Sequence, residues 1–179
     1  MTFYQPAEDS YLLTEILKEK LSVLLEENPD LTFLEIGAGS GIHLETAYRS
    51  GVRKENIFSV DINPASVGHC NALGFHCIQS DLFERVPEKF NMIIFNPPYL
   101  PEHKFDNQSD TSAGKKQEVI VRFLQQAKGH LKPNGRIFFL LSSFTPMQEI
   151  QPELNKYNKK LLANERLFHE ELFIWELTV

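Results

Sequence analysis

Residues 31–41 read LTFLEIGAGSG: a short apolar run, an acid at Glu35, then glycines at 37, 39 and 41. The apolar run suits a buried strand. Glycines directly after it let the backbone turn sharply and come close to a ligand at the strand's carboxyl end, where open α/β sheets bind their ligands. Upstream, residues 7–27 place apolar side chains at 12, 13, 16, 17, 21, 24 and 25, which predicts a helix with an acidic start. Downstream, helices are expected over 41–51, 63–74, 117–131 and 146–158, and strands over 56–62, 75–81, 90–95 and 136–143, with KPNG (132–135) as a turn. The last two strand-like runs, 160–171 and 172–179, have no helix between them and read as an antiparallel hairpin. Strand and helix alternate, so the fold class is α/β: seven strands, mostly parallel, helices on both faces and a hairpin closing one edge.

Composition bounds the function. The 179 residues suit one domain, 1–179, with 1–30 as an N-terminal helical segment. Hydrophobic residues make up 42% and charged ones 23%, which excludes a disordered chain. A net charge of −6 without a basic run weighs against a partner gripped through its phosphates. The longest apolar run, IFFLL at 137–141, is too short to cross a bilayer, and MTFYQPAEDS has no signal-peptide character, so a cytoplasmic protein is expected. Cys70 and Cys77 match no zinc or redox spacing and read as reduced core thiols. The six histidines, at 43, 69, 76, 103, 130 and 169, form no i, i+4 pair, so no metal site is expected; Trp175 reads as core.

Three strand ends in succession carry chemistry. After the glycine loop, strand two ends in Asp61, 20 residues beyond Gly41, where a carboxylate can take both hydroxyls of a ribose. Strand three ends in Asp81, placed to meet an adenine amino group, with Leu82 offering a backbone N–H. Asp61 as a helix N-cap and Asp81 as a turn former are the structural alternatives. The dinucleotide fingerprint G-x-G-x-x-G fails here, because Ile42 stands where its last glycine belongs. Glu35 can hold the ammonium of an amino-acid tail but would repel a pyrophosphate, which favours S-adenosylmethionine over a nicotinamide dinucleotide.

The fourth strand runs into FNPPYL (95–100). Two prolines remove two backbone donors and stop the strand at Asn96. The side-chain carbonyl of Asn96 and the backbone carbonyl of Pro97 can each accept an N–H from a planar –NH2. Such contacts draw the nitrogen towards sp³ and aim its lone pair at a methyl group. Positioning of this kind supplies about 7–11 kcal/mol of a barrier. Pro97 and Pro98 make the acceptors rigid, and Tyr99 can stack on the flat group.

The Glu-x-Gly-x-Gly-x-Gly loop, the two acids and NPPY together resemble a Rossmann-like class I methyltransferase acting on a planar nitrogen. YQPAEDSYLL (4–13) is similar to the HemK/PrmC family of protein-glutamine N5-methyltransferases, and to its short eukaryotic–archaeal branch, which lacks the N-terminal helical domain of the bacterial enzymes. The motifs span residues 3–143. The resemblance implies S-adenosylmethionine as cofactor, and Ser10, in a segment that folds over it, as a cofactor contact. It implies the same for Glu35, Gly37, Gly39, Gly41, Asp61, Asp81, Leu82 and Asn96, with Asn96, Pro97, Pro98 and Tyr99 as the catalytic tetrapeptide. The implied substrate is the glutamine of the Gly-Gly-Gln loop of a class I peptide chain release factor. The implied partner is a small zinc-binding activator on the sheet edge beside strand three, where FHCIQ, Val67 and Leu73 lie. Relatives carry a glycine pair after NPPY; here 110–123 holds only Gly114, although Glu118 and Arg122 keep their places. The alternative acceptor is adenine N6 in DNA or RNA, in which case Lys104, Lys115 and Lys116 would meet phosphates. A non-catalytic cofactor-binding module would have no need of an intact NPPY.

Overall fold

The runs at 33–36 and 90–95, apolar except for Glu35 and Asn91, demand cover on both faces, and in a computed structural model they form the centre of one sheet. The structure describes residues 5–97 and 116–179. Its strands are β1 (Phe33–Ile36), β2 (Ile57–Asp61), β3 (His76–Gln79), β4 (Phe90–Phe95), β5 (Leu131–Ser142), β6 (Asn158–Arg166) and β7 (Glu171–Thr178). The helices are α1 (Glu8–Glu27), α2 (Ile42–Arg49), α3 (Pro64–Ala72), α4 (Lys116–Ala127) and α5 (Met147–Leu154). The strand order is β3-β2-β1-β4-β5-β7-β6. β1 to β5 run parallel, while β7 is antiparallel to β5 and to β6. This is the expected seven-stranded, mostly parallel sheet with its C-terminal hairpin.

The side-chain period of two divides the core. Leu34, Ile36, Ile93, Phe95, Ile137 and Phe139 pack with Phe123 and Leu124 of α4 and Ile150 and Leu154 of α5. Phe33, Met92, Ile94, Phe138 and Leu140 pack on the other face with Leu13, Leu17 and Leu21 of α1 and Leu44 of α2. Glu35 shares the parity of Phe33, and Asn96 that of Ile94, so both fall on the α1 side. On the α4 side Phe123 lies at ring-centroid distances of 5.6 Å from Phe83, 4.5 Å from Phe95 and 5.6 Å from Phe139.

Several expectations need adjusting. KPNG is not a turn ahead of a strand but an excursion within β5: Leu131 pairs with Phe90 and Arg136 with Met92, so residues 132–135 stand opposite Asn91 alone. Asn134 has φ +60°, and a Cβ on Gly135 would sit 2.8 Å from the Lys132 carbonyl oxygen. α4 ends at Ala127 in a 3-10 turn, and α5 stops at Leu154. Trp175 is half-buried rather than core, because β7 lies one strand from the sheet edge and β6 alone stands beyond it. Among the described residues no helix is long and apolar enough to cross a membrane.

Phe123→Ala removes the ring around which three others pack. A loss of about 3–5 kcal/mol in urea unfolding is expected; a loss below about 1 kcal/mol would show that this aromatic layer does not hold α4 to the sheet.

Candidate functional site

Pairing of Ile36 with both Val60 and Phe95 brings the residues after β1, β2 and β4 side by side. Gly37 therefore lies between Asp61 and Asn96. The loop is tied down by its own backbone: the Gly37 and Ala38 amides both donate to the Val60 carbonyl, at 2.8 and 3.1 Å. Gly37 has φ +74° and is exposed, and Gly39 and Gly41 also have positive φ. At Gly41 a Cβ would come 3.2 Å from Cys70 Sγ.

Asp61 is buried, and each of its oxygens takes one backbone amide: Oδ2 from Gly39 at 2.8 Å and Oδ1 from Asn63 at 2.8 Å. It is not the N-cap of α3; Asn63 caps that helix by accepting from the Ala65 amide at 2.9 Å. The remaining lone pairs of Asp61 stay available to hydroxyl donors. Asp81 is clamped by Arg122 of α4, whose Nη1 and Nη2 both donate to Oδ2 at 3.0 Å. Leu82 follows in a left-handed conformation, φ +47°. A branched side chain rarely adopts it, and such strain collects at functional sites. Ser80 holds the turn by donating to the Leu82 carbonyl and accepting from the Arg85 amide.

Glu35 is 3% exposed and its Oε1 lies 2.7 Å from His43 Nδ1. The other ring nitrogen, Nε2, lies 3.1 Å from the Ser10 carbonyl oxygen. Burial pushes the Glu35 carboxyl up, His43 draws it down, and Asp61 adds to the rise, which prevails. Burial alone would lower His43, but the Glu35 carboxylate, its hydrogen bond, the Ser10 carbonyl and Asp9 together raise it. Oε2 of Glu35 is buried with no hydrogen-bond partner among the described residues.

Asn96 donates from Nδ2 to Asp9 Oδ2 at 2.9 Å. A carboxylate only accepts, so this contact sets the amide's orientation and turns its carbonyl away. That carbonyl oxygen, Oδ1, is buried and has no partner among the described residues. Asp9 takes the Ser10 amide on Oδ1 at 2.7 Å, with the Ser10 hydroxyl at 3.3 Å. The first turn of α1 thus touches both ends of the site, Asp9 at Asn96 and Ser10 at His43.

The site residues anticipated from sequence fall into three groups. Glu35, Gly37, Gly39, Gly41, Asp61, Asn96 and Pro97 converge on one sheet edge with Ser10, although the Ser10 side chain is turned to Asp9. Asp81 and Leu82 stand beside this group, at the end of β3. Pro98, Tyr99, Lys104 and Lys115 lie outside the described residues, as do His103 and the loop with Gly114; of Lys116 only the backbone is described, in α4. Two residues went unnoticed in the sequence. Asp9 carried no motif signal beyond its place in PAEDS, and His43 read as a scattered histidine when it is buried on Glu35. Both thiols are buried and free as expected, and no group of three metal-binding side chains occurs among the described residues.

Paired substitutions test the loop. Gly41→Ala should cost about 1–3 kcal/mol through its positive φ and the Cys70 contact. Gly68→Ala, in α3 with nothing within 4 Å of the new methyl, should stabilise by about 0.5–1 kcal/mol. Thermal unfolding of both variants decides: equal shifts would mean that the loop is not constrained as described.

The methyltransferase small domain family matches residues 10–168. A relative from Methanocaldococcus jannaschii, provisionally named a protein N5-glutamine methyltransferase, is 36% identical over 97% of this chain and 92% of its own. The release factor glutamine methyltransferase of Lactococcus lactis is 27% identical over 87% of this chain and 63% of its own. Among solved structures, a chain of the E. cuniculi Mtq2–Trm112 complex, described as responsible for methylating the translation termination factor eRF1, superposes with a TM-score of 0.71 at 21% identity, covering 99% of this chain and 98% of its own. At that identity the likeness speaks for the fold. With a family match over most of its length and a relative above 30% identity along nearly all of it, the chain belongs to the methyltransferase small domain family.

Proposed function

We propose that the protein transfers a methyl group from S-adenosylmethionine to the side-chain nitrogen of a glutamine, the one in the Gly-Gly-Gln loop of a class I peptide chain release factor. The observation that carries this reading is the Asn96 carbonyl oxygen: buried, unpartnered among the described residues, and aimed by the bond from its own –NH2 to Asp9. An unmet buried acceptor costs about 1–3 kcal/mol. A planar –NH2 that donates to it removes that cost, whereas an acceptor-only group cannot.

The cofactor fits the residues present. Glu35 Oε2 is a second buried acceptor without a donor among the described residues, and an ammonium is the donor that suits a carboxylate. Glu35, Asp9 and Asp61 are three acids with His43 as their near counter-charge, so the seat favours a cation and disfavours a pyrophosphate. Glu35 would hold the ammonium, Asp61 the ribose hydroxyls, and Asp81 with Leu82 the adenine edge. The three glycines leave room for close approach, and the first turn of α1, with Ser10, covers the site. When bound, the cofactor supplies an electrophilic methyl on a sulfonium. Asn96 and the Pro97 carbonyl orient the acceptor nitrogen; Pro98 and Tyr99 complete the tetrapeptide on the sequence argument. Translation factors work in the cytoplasm, the compartment we assign.

A small activator subunit, zinc-binding as the resemblance implies, fits the β3 edge better than the β6 edge. β6 carries Lys159, Lys160, Glu165 and Arg166, the charges that keep an edge unpaired. β3, HCIQ, carries no Lys, Arg, Asp or Glu, and Leu73 and Ile62, both on segments adjoining it, are exposed apolar side chains.

Methyl-labelled S-adenosylmethionine offered to a release factor, to DNA and to RNA, with and without such an activator, tests the assignment. Label in the release factor, lost when its loop glutamine is changed, is expected; label in nucleic acid instead would overturn it in favour of adenine N6. Asn96→Ala should abolish transfer and spare cofactor binding. Asp9→Asn is the sharper variant: with its single carbonyl oxygen kept by the Ser10 amide, the new side chain turns its –NH2 to Asn96, whose own amide then flips and presents –NH2 to the substrate. Transfer should fall about 100-fold even at saturating cofactor, and full activity would contradict the role given to Asn96.

A further inference from the structure

His43 is assigned no contact with cofactor or acceptor, yet it is buried and both ring nitrogens are engaged. The Ser10 carbonyl oxygen only accepts, so Nε2 must carry a proton to make its 3.1 Å contact a bond. The 2.7 Å contact between Nδ1 and Glu35 Oε1 needs a second proton, on the ring or on the carboxyl. His43 and Glu35 together therefore hold two protons and carry no net charge. With one proton removed, the survivor sits between Nδ1 and the carboxylate, and the Nε2 lone pair faces the Ser10 oxygen. The link to α1 is then repulsive.

We propose that His43 is a positioning residue that makes the seating of the first turn of α1 depend on a cation at Glu35. This rests on the assignment of Glu35 to the cofactor's ammonium. A cation at Oε2 favours the carboxylate form and drives the shared proton onto the ring. Nε2–H then belongs to an imidazolium, and its bond to Ser10 becomes charge-assisted, roughly twice as strong as a neutral one. Ser10 is the neighbour of Asp9, which orients Asn96. Cofactor occupancy at one end of the site is thereby transmitted through α1 to the acceptor carbonyl at the other. By reciprocity, a well-seated α1 raises affinity for the cofactor.

The groups facing this pair are Asp9 from α1, Asp61 at the end of β2, and the Cys70 and Cys77 thiols from α3 and β3. The raised value of His43 sets the sign with pH. The link is fully present below about 6.5, the ordinary value for histidine, and is lost as pH climbs through the raised one.

Hydrogen-exchange protection of the amides of residues 8–12, measured on the full chain from pH 6 to 9, tests the link without turnover. The ring ¹⁵N shifts of His43 report its protonation in the same samples. The wild type should lose about tenfold in protection across the titration of His43, and S-adenosylhomocysteine should raise protection at the low-pH end, where the pair still holds both protons. His43→Asn keeps a donor near the Nδ1 position for Glu35 but cannot reach Ser10. Its first turn should be weakly protected at every pH and deaf to S-adenosylhomocysteine, with calorimetric affinity for that ligand reduced several-fold. His43→Gln, which reaches Ser10 but does not titrate, should restore protection and abolish its pH dependence. Protection in the wild type that does not change as the His43 shifts titrate, or in His43→Asn that still responds to the ligand, would overturn the proposal. Should S-adenosylhomocysteine fail to bind the wild type while the pH response persists, the cofactor assignment of Glu35 falls, and with it the ligand-driven half, leaving the His43–α1 link established.

Discussion

The register of β1 is the constraint on which the site depends. Ile36 is level with Val60 on one side and Phe95 on the other, so three chain segments turn away from the sheet at the same height. A slip of one residue in either pairing would send Glu35 or Asn96 to the α4 face, since side chains alternate. The buried apolar residues on both faces of β1 and β4 prevent that slip. The sheet core is therefore what places a glycine loop, an acid and an amide within reach of one ligand.

That edge concentrates groups that protein interiors avoid. Glu35 and His43 are ionisable and buried, Asp61 is buried beside them, and two buried acceptors, Glu35 Oε2 and Asn96 Oδ1, lack partners among the described residues. Leu82 adds backbone strain. Each feature lowers the stability of the folded chain by itself. Their convergence on one side of one sheet, at the carboxyl ends of four parallel strands, is the physical signature of a binding site rather than of poor packing. Compensation comes from the rest of the fold, above all from the aromatic layer between α4 and the sheet.

α1 ties the parts together. Its inner face buries Leu13, Leu17 and Leu21, which anchors the helix, while its first turn holds the site through Asp9 and Ser10. Asp9 stands in the first turn of α1, at the positive end of the helix dipole. The second ion pair of the site, Arg122 to Asp81, ties α4 to the end of β3 in the same manner. Helices from both faces of the sheet thus reach over its edge to hold an acid or be held by one.

Most of the architecture was legible in the residues, because periodicity and glycine or proline punctuation are local. β4 begins and ends where its apolar run does, at 90 and 95, and the hairpin follows from two strands without a helix between them. The glycine loop, Asp61, Asp81 and Asn96 announce themselves as polar or flexible residues ending apolar runs. What the residues determined by themselves was this order of elements and the chemistry at each strand end, since both are encoded within about ten positions of chain. Tertiary structure alone decided which groups meet. Asp9 and Asn96 are 87 positions apart, Ser10 and His43 33, and Asp81 and Arg122 41. No local pattern marks a histidine as the partner of a glutamate eight residues earlier, on a strand that ends before its helix begins. The same limit made KPNG read as a simple turn and Trp175 as core. A bulge exists only relative to the strand beside it, and burial on a strand near the sheet edge depends on what lies across that edge. Contacts of this kind form when the sheet closes, and only the closed sheet reveals them.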